Sequence, residues 1–330
     1  MITARALAPA VALAAALSLA ACSGGGAPAN DTSKRGGGSN PGGGGAGITI
    51  AMVTHESPGD TFWTKVQSGA QQAAADSGVT LKYSNDPDAA RQSTLVQNAI
   101  DSQVDGIATT LANPDAMTGS VKAARDGGIP VVALNAGLDK YQAVGAQMYF
   151  GSDENVAGAA AGKRIAEGGA KHVLCVIQEA GNVALETRCA GVKQSVPNTE
   201  NIQVVGTDDA SVVSTLQAKL AQDKSIDYIV TLGAPIALDA LKALDQAGSS
   251  AKLATFDLNI DAAQDIKDGK IEFSVDQQPY LQGYLAVTSL YLAAKNGNDV
   301  GGGQPVLTGP SFVDSSNIDK ILEYAKNNTR

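Results

Sequence analysis

Basic residues are the minority charge in this 330-residue chain: 24 Lys and Arg stand against 33 Asp and Glu, giving a net charge of −9 and a pI near 4.7. Nucleic acid is held through clustered Lys and Arg, and no such cluster occurs, which argues against a nucleic-acid partner and against electrostatic attachment to anionic lipid. Histidine is scarcer. His55 and His172 fall in different segments, and none of the three cysteines has metal-ligand spacing, so the chain carries no zinc signature and no metal is expected. A P-loop, a G-x-G-x-x-G at a strand-helix turn and a Ser-His-Asp set are all missing, so no cofactor and no catalytic residue is expected. Tryptophan occurs once, at Trp63. The apolar stretch from Leu7 to Ala21 has about fifteen residues, short of the roughly twenty that span a bilayer.

That stretch suits the apolar region of a signal peptide. It lies behind Arg5 and ends in Leu19-Ala20-Ala21-Cys22, which resembles a bacterial lipoprotein signal with its lipid-receiving cysteine. The resemblance implies a signal peptide over residues 1–21, a mature chain beginning at Cys22, and anchoring by diacylglyceryl to the outer face of the cell membrane. An ordinary cleaved signal with an incidental cysteine is the alternative. Residues 22–47 contain Gly-Gly-Gly-Ser-Asn-Pro-Gly-Gly-Gly-Gly, which offers no side chains to bury and reads as a flexible tether. In an oxidising compartment Cys175 and Cys189 pair most economically as a disulfide; two buried free thiols are the other reading.

From Ile48 to Arg330 the chain exceeds the size at which one core stops growing, so two domains are expected. Short β-branched runs alternate with longer amphipathic segments, the pattern of βαβ units and a parallel sheet. Ile48–Thr54, Val79–Ser84, Ile107–Thr110 and 129–134 read as strands of a first sheet, with helices over Thr61–Ser77 and Asp88–Ser102 and one entered through Asn113-Pro114. A turn-rich linker near Gly151-Ser152 precedes a second round, whose strands are read at His172–Ile177, Ile202–Gly206, Tyr228–Thr231, Leu253–Phe256 and Ile271–Val275. The fold class is α/β, two doubly wound, Rossmann-like parallel-sheet domains. Ligands in such sheets sit beyond the carboxyl ends of the strands, which shortlists His55, Thr110, Asn135, Gln178, Asp208, Gly233, Asp257 and Gln277. This is a hydrogen-bonding inventory suited to a polyhydroxy ligand.

Five features in order carry a family resemblance: Ile50-Ala51-Met52-Val53 followed by Asp60-Thr61-Phe62-Trp63; Gly127-Gly128-Ile129-Pro130 leading through Val131-Val132-Ala133-Leu134 to Asn135; Arg188 with Gly191; Thr255-Phe256-Asp257; and Asp276-Gln277-Gln278-Pro279-Tyr280 with Gly283. Together they resemble the periplasmic sugar-binding proteins of ABC transporters, of the ribose- and galactose-binding type. The resemblance implies a type I periplasmic-binding-protein fold with a three-segment hinge, one lobe from 48–152 plus 278–308, and the other from 153–277 plus 309–330. It also implies a monomer that closes over a carbohydrate or polyol and presents it to ABC permease subunits, with no enzyme activity. The ligand set expected is His55, Asp60, Phe62, Trp63, Thr110, Asn135, Arg188, Asp208, Asp257 and Gln277. Aromatic rings cover the C–H faces of a sugar, while carboxylate, amide and guanidinium groups meet vicinal hydroxyls in pairs. Core packing for Phe62 and Trp63, a salt bridge to Glu186 or Glu179 for Arg188, and helix capping for Asp257 are the competing roles.

The chain departs from the pattern at Asn135-Ala136, where the ribose-binding type has an aspartate followed by an arginine, and at Gly233, where an Asn or Asp is common. His55 stands where a small polar residue is frequent. These changes leave a hexose, a pentose, a sugar alcohol or a cyclitol as ligand. A receptor for a sugar-like signal acting on a sensor protein is the alternative use of the same site.

Overall fold

The computed structural model describes residues 47–330. The signal segment 1–21, the lipidation expected at Cys22 and all but the last residue of the 22–47 tether lie outside the described residues. The first round of elements is β1 (Thr49–Thr54), α1 (Thr61–Ser77), β2 (Thr80–Asn85), α2 (Ala89–Asp101), β3 (Gly106–Thr110), α3 (Pro114–Asp126), β4 (Val131–Asn135), the single-turn α4 (Tyr141–Val144) and β5 (Met148–Ser152). The second is α5 (Glu154–Glu167), β6 (Val173–Ile177), α6 (Val183–Ser195), β7 (Thr199–Gln203), α7 (Asp209–Gln222), β8 (Tyr228–Thr231), α8 (Ala234–Ala247), β9 (Lys252–Phe256), α9 (Ile260–Lys267) and β10 (Phe273–Asp276). The chain then runs through α10 (Pro279–Asn296), β11 (Val306–Gly309), β12 (Ser311–Asp314) and α11 (Ile318–Lys326).

Two six-stranded sheets result, in the orders β11-β5-β4-β3-β1-β2 and β12-β10-β9-β8-β6-β7. The two orders are the same: each strand of the first sheet has a counterpart in the second, with β4 matching β9. All pairings are parallel except β10 with β12. The central strands are buried along their length, as parallel strands covered by helices on both faces must be. The chain passes between the sheets three times, between β5 and α5, between β10 and α10, and between β11 and β12.

Most boundaries read from the sequence shift by one or two residues, and two readings differ more. Gly151 and Ser152 are the last residues of β5, not a linker, because the buried run Met148-Tyr149-Phe150 draws them into the sheet beside β4. The strand read at Ile202–Gly206 lies at Thr199–Gln203; it is an edge strand whose polar Glu200, Asn201 and Gln203 face out, so its apolar signal is weak.

Close helix packing seats the elements that matter for the cleft. A Cβ on Gly158 of α5 would lie 2.3 Å from the Arg188 carbonyl oxygen of α6, so only glycine permits the two helices to meet there. The same device joins α1 to α10, where Gly69 faces the Tyr280 carbonyl and Gly283 that of Val66. Cys175 of β6 and Cys189 of α6 are disulfide-bonded with Cα atoms 5.9 Å apart, tying the Arg188-bearing helix to its sheet.

Candidate functional site

The carboxyl ends of the strands of both sheets face one cleft, and a small cavity lies at its base. From the first sheet it is lined by His55 after β1, by Asp60, Phe62 and Trp63 at the start of α1, and by Asn135 at the end of β4. From the second come Gln178, Glu179 and Asn182 of the β6–α6 loop, Arg188, and Asp257 directly after β9; Gln277, between β10 and α10, completes it.

Asn135 and Asp257 occupy matching places in the two sheets and share a backbone conformation, φ +67° and +64°. Asn and Asp tolerate this left-handed region better than other side chains bearing a Cβ. Each carbonyl is held by a hydroxyl from the neighbouring strand: Tyr149 Oη donates to Asn135 at 2.8 Å and Ser274 Oγ to Asp257 at 2.6 Å.

Arg188 is 2% exposed and supplies the cavity's fixed positive charge. Its guanidinium forms a fork with buried Glu154, Nε to Oε2 at 2.5 Å and a terminal nitrogen to Oε1 at 3.1 Å, and lies 4.8 Å from the centre of the Phe256 ring. The carboxylate beside it holds Arg188 above its ordinary value, so the cation persists in spite of burial. Its salt-bridge partner is thus Glu154, not Glu186 or Glu179. Burial pushes Asp257 up to about 7, against the pull of Arg188 and of the Gln277 amide, which donates at 2.6 Å. Burial likewise raises Asp60 to about 6, and that carboxylate also caps α1 by accepting from Phe62 N–H.

His55 is lowered to about 4 by burial and by Arg188, so it is neutral. Thr110 Oγ1 accepts from the His55 backbone N–H at 3.1 Å and from Gln92 Nε2 at 2.9 Å, which fills its lone pairs. His55 Nδ1 pairs with the same hydroxyl at 2.7 Å, and Nε2 lies 3.3 Å from the Asn182 Nδ2 amide. Nε2 lies 3.7 Å from Glu179 Oε2, across the cleft, where Asn182 Nδ2 donates at 2.7 Å.

Eight of the ten expected ligand residues therefore line one cavity: His55, Asp60, Phe62, Trp63, Asn135, Arg188, Asp257 and Gln277. Two do not. Thr110 is buried behind His55 and acts through it. Asp208 is exposed, capping α7 by accepting from Ser211 N–H; the β7–α7 connection carries it away from the cavity. Phe62 and Trp63 are both cavity walls and core, edge to face 5.1 Å apart, where core packing and stacking had been set as rival roles. Sequence reasoning missed Glu154, which bears no strand-end signal, and Glu179 and Asn182, which lie beyond the residue after β6. Gln178 had the signal and lies in the wall.

The rims of the two lobes touch. Val183 N–H donates to the Ala112 carbonyl at 3.2 Å, and Ala112, Ala136 and Ala184 form a buried apolar cluster across the cleft. The ribose-binding pattern's arginine would fall at Ala136, which is fully buried in that cluster. Inside, the Oε1 atoms of Gln178 and Gln277 are buried without a hydrogen-bond partner among the described residues, two acceptors for a ligand hydroxyl. The walls thus offer aromatic faces, a fixed guanidinium, amides and three carboxyls around a small volume.

A family model for the periplasmic binding protein domain matches residues 50–299. A solved carbohydrate transporter from Acidothermus cellulolyticus 11B, in complex with myo-inositol, is 51% identical with a TM-score of 0.85, over 86% of this chain and 99% of that one. The ribose import binding protein RbsB of Haemophilus influenzae is 29% identical over 254 residues, 73% of this chain and 83% of that protein. The xylose/arabinose-binding protein XylF of Sulfolobus acidocaldarius is 26% identical over 296 residues, 83% of this chain and 72% of that protein.

Proposed function

This chain belongs to the periplasmic binding protein family, as a sugar-binding solute receptor of the ABC-transporter type and not an enzyme, and we propose that its ligand is a cyclitol of the myo-inositol kind. The observation that carries this reading is the high identity to the transporter protein solved with myo-inositol. The cavity supports it. A cyclitol presents hydroxyls on every ring carbon and carries no anomeric centre, so its recognition calls for amide and carboxyl groups all round the ring and for no single privileged contact. Asn135, Asp257, Gln277 and Arg188 supply such groups, with Trp63 and Phe62 against the C–H faces. The Ala136 packing supports the same choice, since it leaves no room for the arginine of a ribose clamp.

In this reading Asp257 accepts hydroxyl protons, Arg188 donates to hydroxyl oxygens with Glu154 fixing its orientation, and the His55 ring borders the ligand. Binding draws the two lobes together through the three crossings, and the closed form is what an ABC permease recognises. Lipid at Cys22 and the glycine-rich tether hold the receptor outside the cell membrane, near that permease. A thermal-shift screen against pentoses, hexoses, sugar alcohols and inositols tests the ligand class, because a ligand that binds the native state alone raises the melting temperature. A large shift with inositols is expected. A shift confined to aldopentoses would replace the cyclitol by a sugar.

A further inference from the structure

The cavity at the base of the cleft does not stand alone. A second, outer chamber of about 250 Å³ adjoins it and shares Asp60, Gln178 and Glu179 with it as walls. Its outer walls are the Ser57-Pro58-Gly59 turn of the first lobe and, from the second, Gly206, Thr207 and Asp209 before and within α7 and Gly233, Pro235 and Ile236 at the start of α8. Two of these glycines keep Gln178 in place between the chambers. A Cβ on Gly206 would lie 2.8 Å from Gln178 Cβ, and one on Gly233 3.1 Å from its Nε2. Gln178, whose buried Oε1 has no partner among the described residues, is therefore a wall common to both.

We propose that the outer chamber receives a glycosyl substituent carried by the ring in the inner one, so that the receptor accepts a glycosylated cyclitol, neutral or amino-bearing, as well as the free ring. This rests on the cyclitol reading above. The outer chamber is the roomier of the two, about 250 Å³ against about 30 Å³, and so can take a substituent that the tight inner cavity cannot. The charge follows from the walls: Asp60, Glu179 and Asp209 line the outer chamber, and no Lys or Arg does. A phosphate there would face carboxylates with nothing to neutralise it. Sugar hydroxyls donate to those carboxylates, and an ammonium group offsets the burial that disfavours charge on Asp60 and Glu179.

Calorimetric titration of the purified protein with myo-inositol, galactosyl-myo-inositol, glucosaminyl-myo-inositol and myo-inositol monophosphate tests the inference. Both glycosides are expected to bind within about tenfold of myo-inositol, and the phosphate more than about a hundredfold more weakly. Thr207→Trp, at an exposed position that lines the outer chamber and the neighbouring groove but not the inner cavity, should weaken the glycosides at least about tenfold and leave myo-inositol within about twofold. A greater loss with both glycosides than tenfold, phosphate binding comparable to myo-inositol, or glycoside binding untouched by Thr207→Trp overturns the inference while the cyclitol reading stands. Failure of myo-inositol itself removes that reading, and this inference with it.

Discussion

Replacing Glu154 by alanine should damage the protein twice, in its stability and in its ligand site. Glu154 is 6% exposed and Arg188 2%, and the two exchange a fork of hydrogen bonds at 2.5 and 3.1 Å. A guanidinium cannot shed its proton, so the variant leaves an uncompensated cation in the cavity wall. Removing one partner of such a buried pair costs about 3–5 kcal/mol, which at roughly 2–4 °C per kcal/mol for a protein of this size lowers the melting temperature by roughly 6–20 °C. The Phe256 ring 4.8 Å from the guanidinium does not offset this, because that contact is already present in the wild type. Circular dichroism melts of the unliganded protein measure the loss. The double variant Glu154→Leu/Arg188→Met should melt close to wild type, since well-packed apolar replacements of buried pairs are often neutral. It should still fail to bind myo-inositol, because the guanidinium donors are gone. If Glu154→Ala melts within about 2 °C of wild type and binds normally, the assignment of Glu154 as the residue that holds Arg188 is refuted.

Asp257 makes the affinity depend on pH. Its folded value of about 7 exceeds the ordinary 3.8, so the unliganded native state holds a proton that the unfolded chain has lost, and its stability falls as pH rises between those values. Ligand hydroxyls donate to the ionised form, so binding releases that proton and tightens as pH rises from 5 to 7, then levels. Titrations across that range should show the slope, and Asp257→Asn should remove most of it. Ala136→Arg drives a long side chain into the Ala112–Ala184 contact and should weaken binding at least about a hundredfold by blocking closure; unchanged affinity would remove that contact from the account. Breaking the Cys175–Cys189 bond with Cys175→Ala/Cys189→Ala should cost about 3 kcal/mol for a loop of this length, read as a lower melting temperature; no change would show that the bond contributes nothing to the folded state.

The alternation of β-branched runs with amphipathic segments was enough to place most of the parallel strands, because buried parallel strands carry a dense apolar signal. Edge strands do not: β7 is half polar and was displaced by three residues, and β5 was read as a linker because it ends in the turn-type residues Gly151-Ser152. The rule that ligands gather at strand ends collected His55, Asn135, Gln178, Asp257 and Gln277 into one cavity. It failed for Asp208, since an edge strand's loop can turn its polar residue to a helix cap, and for Thr110, whose side chain points at His55 from behind. Glu154 was illegible for a different reason. Its partner is 34 positions away, and nothing in the local pattern of α5 reveals a carboxylate that faces α6.

The central claim is that one cyclitol sits between the lobes, held by Arg188 and Asp257 together. Calorimetric titration of myo-inositol into the wild type beside Asp257→Ala tests it most directly. The account predicts one ligand per chain with a dissociation constant of about 1 μM or tighter for the wild type, and no measurable binding to a variant that still melts cooperatively. Binding that survives in Asp257→Ala, or a wild type that takes up no myo-inositol but saturates with another polyhydroxy ligand, would contradict it.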